Sequence, residues 1–156
     1  MQFETDRLII RDICRSDWGS IHTYTSLPQV TRHTAWGPNT EEDTKAYIEQ
    51  VLVSQLEKPR QDYELAVCLK DTGILIGGVG IHVKDTNAEM GYILNPDYQG
   101  KGYATEAARA LLGFGFSTLD VHRIYATCRP MRNITGHNFY FRREQHGSFC
   151  RIFSAY

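Results

Sequence analysis

Basic residues are in no surplus in this 156-residue chain: seventeen Lys and Arg stand against eighteen Asp and Glu, a formal net charge of -1. That balance gives no support to a large nucleic-acid footprint, which needs an excess of positive charge. Cysteine is sparse. Cys14, Cys68, Cys128 and Cys150 are widely spaced with no C-x-x-C pair, so neither zinc nor another bound metal is expected. No run of ~20 apolar residues could span a bilayer, and Asp6, Arg7, Arg11 and Asp12 interrupt the start where a leader peptide would be apolar. The expectation is a cytoplasmic protein with free thiols and no membrane or nucleic-acid partner. Long linkers, repeats and low-complexity segments are also missing, so residues 1–156 are expected to form a single domain.

What is present has clear periodicity. Glu4 to Arg11, with Leu8, Ile9 and Ile10, suits a first strand. Trp18, Ile21, His22 and Thr25 predict a helix from about Ser16 that ends at Pro28, with a loop from Gln29 to Pro38. Thr40 and Asp43 have capping-box spacing ahead of an apolar stripe of Tyr47, Ile48, Val51, Leu52 and Leu56. Tyr63, Leu65, Val67 and Leu69 then alternate with Glu64, Ala66, Cys68 and Lys70, which predicts a strand with one buried face. Turns at Asp71-Thr72-Gly73 and Asp85-Thr86-Asn87 separate two more strands, Ile74 to Val83 and Ala88 to Leu94, giving an antiparallel meander. A helix follows, with Ala104, Ala107, Ala108, Leu111, Leu112 and Gly115 on one face, and then a short strand from Arg123 to Cys128. Strand, helix and strand in succession imply a parallel pair. The class is therefore α/β (α+β), with a mixed, mostly antiparallel sheet and flanking helices.

The segment Asn95-Pro96-Asp97-Tyr98-Gln99-Gly100-Lys101-Gly102-Tyr103-Ala104-Thr105 carries the most chemistry. It lies between a strand end and a helix start. Glycines let the backbone turn tightly and bring amides near a ligand, and a helix N-terminus adds unpaired donors and partial positive charge. The combination suits a phosphate or pyrophosphate. It is neither a P-loop, lacking G-x-x-x-x-G-K-[ST], nor a dinucleotide fingerprint, lacking the third glycine and the distal acid.

Ala88-Glu89-Met90-Gly91-Tyr92-Ile93-Leu94 running into that segment resembles the acetyl-CoA signature of the GNAT superfamily of N-acetyltransferases. Glu4-Thr5-Asp6-Arg7-Leu8-Ile9-Ile10-Arg11 and Val121-His122-Arg123-Ile124 are similar to its ribosomal-protein acetyltransferase-like branch, and the resemblance spans residues 3 to about 130. It implies that backbone amides of Gln99 to Ala104 hold the CoA pyrophosphate, with Thr105 in the same cradle. It also implies that the strand ending at Ile93 and Leu94 splays from the next parallel strand, with an amide near Leu94 polarising the thioester carbonyl. The acceptor, a protein N-terminus or a small amine, would attack directly within a ternary complex. Glu89 is the candidate general base, with Asp85 a weaker one. His33 and Trp36 fall in the loop that borders the acceptor slot in this family. His22, His82 and His122 form no constellation in sequence, and Cys128 has no visible base beside it.

Beyond Pro130 the family pattern breaks. Asn133 fits the residue that positions the cofactor, but Gly136 stands where a Ser is usual, and Phe141-Arg142-Arg143-Glu144 arrives about four residues early. Either the tail has diverged, with Tyr140 or Thr135 as general acid, or a reading-frame change follows Arg129. The second reading implies a weakened cofactor site and an exposed sheet edge near the C-terminus that invites a homodimer or aggregation. It also keeps alive a different function, a catalytically impaired CoA-binding module acting as sensor or partner protein.

Overall fold

The computed structural model describes residues 1–32 and 34–127 in full, and residues 138–142 and 153–155 as backbone strands. The chain forms an eight-stranded sheet in sequence order: β1 (Gln2–Glu4), β2 (Leu8–Asp12), β3 (Asp62–Leu69), β4 (Leu75–Lys84), β5 (Asn87–Leu94), β6 (Arg123–Ala126), β7 (Asn138–Arg142) and β8 (Phe153–Ala155). All neighbours pair antiparallel except β5 and β6, which are parallel. The helices are α1 (Trp18–Thr25), α2 (Pro28–Thr31), α3 (Glu41–Ser54) and α4 (Tyr103–Ser117).

The sheet has a core on each side. Leu65, Val67, Ile81 and Met90 meet Ala107, Leu111 and Phe116 of α4 on one face. Ala66, Cys68 and Leu75 meet Ile21, Tyr24, Ile48 and Val51 of α1 and α3 on the other. This corrects the single buried face expected of β3: Leu65 to Cys68 are all buried, because the strand lies mid-sheet between two helical layers. α4 sits close, since a Cβ at Gly115 would come within 2.6 Å of Ile124 and 2.8 Å of Ile81.

Other boundaries differ for local reasons. The opening strand is a hairpin: the Thr5 amide donates to the Leu8 carbonyl, and the Leu8 amide donates to Thr5 Oγ1, which turns the chain between β1 and β2. Pro28 does not merely stop a helix; it opens α2, where a missing amide costs nothing in the first turn. The stretch expected as loop thus begins helical. Leu56 lies beyond the end of α3 and is 80% exposed, so the apolar stripe ends before it. The capping box is present, with Thr40 N–H donating to Asp43 Oδ2 at 2.9 Å and Asp43 N–H to Thr40 Oγ1 at 3.1 Å. Among the described residues, no helix is long and apolar enough to cross a membrane.

Candidate active site

The parallel ladder between β5 and β6 is short. It pairs Asn87 with Arg123, Ala88 with Ile124 and Glu89 with Tyr125, and then stops. β5 runs on to Leu94 while staying paired with β4. Among the described residues, no β5–β6 pairing extends beyond Glu89, so β5 from Met90 to Leu94 has an unpaired edge on that side. Glu89 sits at the last paired position, half-buried, with Oε1 accepting from Thr127 Oγ1 at 2.6 Å. Asn95 N–H donates to Ile76 on β4 at 2.9 Å. Amides alternate along a strand, so the Leu94 amide is directed to the unpaired edge.

The glycine loop follows the end of this edge. Pro96–Tyr98 make a single 3-10 turn, started by the Asn95 side chain accepting from Asp97 N–H. Gly100 and Gly102 have φ of 74° and 81°, the left-handed region that favours glycine, and Gly102 caps α4. The Gln99 amide donates to the Pro96 carbonyl at 3.1 Å, and its side chain donates to the Leu94 carbonyl. Gln99 thus ties the loop to β5, and its amide is occupied. Among the described residues, the amides of Gly100 to Thr105 find no backbone acceptor, leaving a run of donors at the N-terminus of a fifteen-residue helix. These amides suit the doubly charged pyrophosphate of CoA. The Lys101 ammonium folds back onto the Asp97 carbonyl at 2.9 Å.

An anchor that sequence reasoning missed holds this loop. Arg7 Nη1 donates to the Lys101 carbonyl at 3.0 Å, and its Nε donates to Glu106 Oε2 at 2.7 Å. Glu106 Oε1 also accepts from Thr5 Oγ1 and from Arg7 N–H, while the guanidinium lies 4.5 Å from the Tyr103 ring centroid. Burial opposes ionisation of Glu106, but the Thr5 and Arg7 hydrogen bonds outweigh it and hold the carboxyl below its ordinary pKa. The only signal in sequence was the Glu4–Arg11 likeness, which carried no role for Arg7.

On the α1–α3 face a cleft of about 800 Å³ opens beside β5, and Trp36, Tyr24, Tyr47, Gly91 and Ile93 line it. Trp36 is thus at the cleft; His33, Asn133 and Cys128 lie outside the described residues. Tyr140 is placed by its backbone in β7, opposite Tyr125. His82, which has no partner in linear sequence, has two in space. Its Nδ1 lies 2.9 Å from Asp62 Oδ1 and its Nε2 3.1 Å from Glu64 Oε1. The Glu64 hydrogen bond, opposed by burial and reinforced by Asp62, pushes the His82 pKa up to about 9. Tyr47 donates to Glu64 Oε2 at 3.1 Å, and burial, then the Glu64 charge, raise its phenol far above the usual value, so it remains a donor. His22 lies elsewhere, with Nδ1 3.0 Å from Thr44 Oγ1, and His122 is exposed.

A parallel pair whose ladder ends early, with unpaired amides at a helix start beside it, defines a protein suited to holding an anionic ligand at a strand edge. Comparison with known proteins identifies the family. The acetyltransferase (GNAT) domain model matches residues 7–133, and the chain belongs to the GNAT acetyltransferase family. It is 39% identical over 132 residues to the uncharacterized N-acetyltransferase YnaD of Bacillus subtilis strain 168, covering 83% of this chain and 74% of that one. A GNAT-family acetyltransferase structure from Bacillus anthracis superposes with a TM-score of 0.73 at 36% identity, covering 83% of this chain and 75% of that one. The ribosomal-protein-S5-alanine acetyltransferase of Vibrio fischeri superposes with a TM-score of 0.65 at 26% identity, covering 85% and 76%. These likenesses set the chain beside the ribosomal-protein acetyltransferase-like branch. It is an N-acetyltransferase by family.

Proposed function

We propose that the protein transfers the acetyl group of acetyl-CoA to a primary amine by direct attack in a ternary complex. The observation that carries this reading is the ladder that ends at Glu89↔Tyr125 while β5 continues to Leu94 beside the free amides of Gly100 to Thr105. Acetyl-CoA supplies the activated acyl group. The amides of Gly100 to Ala104, with Thr105, hold the pyrophosphate; Ile93 and Leu94 border the pantetheine arm; and the Leu94 amide donates to the carbonyl oxygen as charge develops there. Asn133 is assigned to the cofactor through the family pattern alone, as His33 is to the acceptor.

An acceptor ammonium has to lose a proton before it attacks, since its pKa is roughly 10.4 when unperturbed. Glu89, where the β5–β6 pairing ends, is the proposed base, and Tyr140 is the proposed acid for the leaving thiolate. Acceptor approach is along the cleft that Trp36 borders. The proposal sets this in the cytoplasm, where unpaired thiols such as Cys14 and Cys68 persist. The family match ending at Asn133 supports a second reading, a CoA-binding protein without turnover. A thiol-release assay over an amine panel, with product mass, separates the two. Transfer predicts a 42 Da adduct on the acceptor and a loss of about 10²–10⁴-fold in kcat for Glu89→Gln. Acetyl-CoA binding with no adduct on any amine would select the second.

A further inference from the structure

The Glu64 carboxylate occupies an unusual position. β3 and β4 pair Glu64 with Gly80, and β4 and β5 pair Gly80 with Gly91, so the three residues form one row across the cleft floor. A Cβ on Gly80 would lie 3.0 Å from both Glu64 carboxylate oxygens. The carboxylate therefore lies flat over that glycine, one strand nearer the β5 edge than its own backbone. Among the described residues, nothing stands within 4 Å of a Cβ built on Gly91, so none of them covers the floor between Glu64 and the β5 edge. His82 fixes one oxygen and Tyr47 the other. An ionised carboxyl has about four acceptor sites, so capacity remains for a ligand.

The charge balance of the cleft is one-sided. Among the described residues lining it, Asp43 and Glu64 are acidic, His82 is the only basic side chain, and there is no Lys or Arg. His82 is shared with Asp62, so the trio of Asp62, His82 and Glu64 carries a net negative charge even with the imidazole protonated. Trp36, Tyr24 and Tyr47 supply apolar walls.

We infer that Glu64 is a specificity-determining residue that takes a second ammonium of the acceptor, so that the acceptor class is a compact α,ω-diamine. This rests on the acetyl-transfer reading above. One strand spacing separates Gly80 from Gly91, and reaching the β5 edge beyond gives a nitrogen-to-nitrogen span of roughly 5–7 Å. An extended four- or five-carbon diamine covers that span, its methylenes lying over Gly91 and against the aromatic walls. A monoamine brings no second ammonium to the remaining acceptor sites of Glu64, and a peptide acceptor sets carbonyls against it.

The test uses the full chain with acetyl-CoA, and compares 1,4-diaminobutane, butylamine and a peptide beginning with Ala. The expected kcat/KM ratio of diamine to monoamine is about tenfold or more, the worth of one charge-assisted contact in a half-buried site. Glu64→Gln brings that ratio to about one with the KM for acetyl-CoA unchanged. Gly80→Ala, which pushes the carboxylate aside while keeping it, lowers the ratio in the same direction. Calorimetric titration of 1,4-diaminobutane reads the same site without turnover, and Glu64→Gln abolishes its binding. Equal use of diamine and monoamine by the unaltered protein, a ratio insensitive to both substitutions, or preference for the peptide overturns the inference and leaves acetyl transfer standing. Diamine binding lost in Glu64→Gln, with no amine acetylated, keeps the ammonium site and overturns acetyl transfer.

Discussion

Single side chains decide whether the cofactor loop keeps its shape. Arg7 and Glu106 are 99 residues apart, yet they meet through a 2.7 Å ion pair that also grips the Lys101 carbonyl. Arg7→Ala frees the loop and leaves Glu106 without its cation. The expected result is a KM for acetyl-CoA raised about tenfold, with kcat little changed, because the loss falls on uniform binding rather than on the transition state. His82 gives a second test at this scale. Its folded pKa of about 9 lies above the ordinary 6.5, so its contribution is complete below about pH 6.5 and fades as pH rises through 9. Urea midpoints from pH 6 to 9.5 should fall with rising pH in the unaltered protein, and fall less in His82→Gln. A steeper fall in the variant would contradict the assignment. Neither group was legible in sequence as a partner: the register that sets Asp62 opposite His82 and Glu64 opposite Gly80 is a property of two strands, and nothing within either strand encodes it.

Elements were more legible where the signal is local. The α4 stripe faces the core, with Ala107, Leu111, Leu112 and Gly115 buried and Ala104 and Ala108 partly buried against the same cluster, because a 3.6-residue period needs no knowledge of its partner. The same holds for the glycine loop, whose two positive φ values fall at Gly100 and Gly102. Pro28 and β3 were misread because a proline suits a helix start as well as a stop, and because alternation reports one face while burial depends on both. α4 also sets a prediction for packing. Gly115 abuts Ile124 and Ile81, both fully buried, so Gly115→Val should cost about 1–3 kcal/mol in chemical denaturation through overpacking. Gly113, where a built Cβ meets no atom of the described residues within 4 Å, is the control: Gly113→Ala should be neutral or stabilising by up to ~1 kcal/mol.

For the whole molecule, the sheet carries both halves of the site. The α4 side positions the loop proposed to take the pyrophosphate, the α1–α3 side builds the cleft proposed for the acceptor, and the β5 edge beyond Glu89 lies between them. The family match ends at residue 133, close to where the sequence pattern breaks near Pro130, and β7 and β8 extend the sheet past β6. The proposed pyrophosphate loop lies within the part of the chain that matches, while Asn133 lies past the break, so a reading-frame change in the tail is expected to weaken cofactor binding. Isothermal titration of acetyl-CoA, beside desulfo-CoA and free pyrophosphate, tests this most directly, with Gly102→Trp as the obstructed loop. Saturable 1:1 binding of acetyl-CoA and desulfo-CoA, weaker binding of pyrophosphate, and loss of all three in Gly102→Trp are expected. A folded sample that binds none of them, or a Gly102→Trp protein that binds acetyl-CoA as well as the unaltered one, would contradict that expectation.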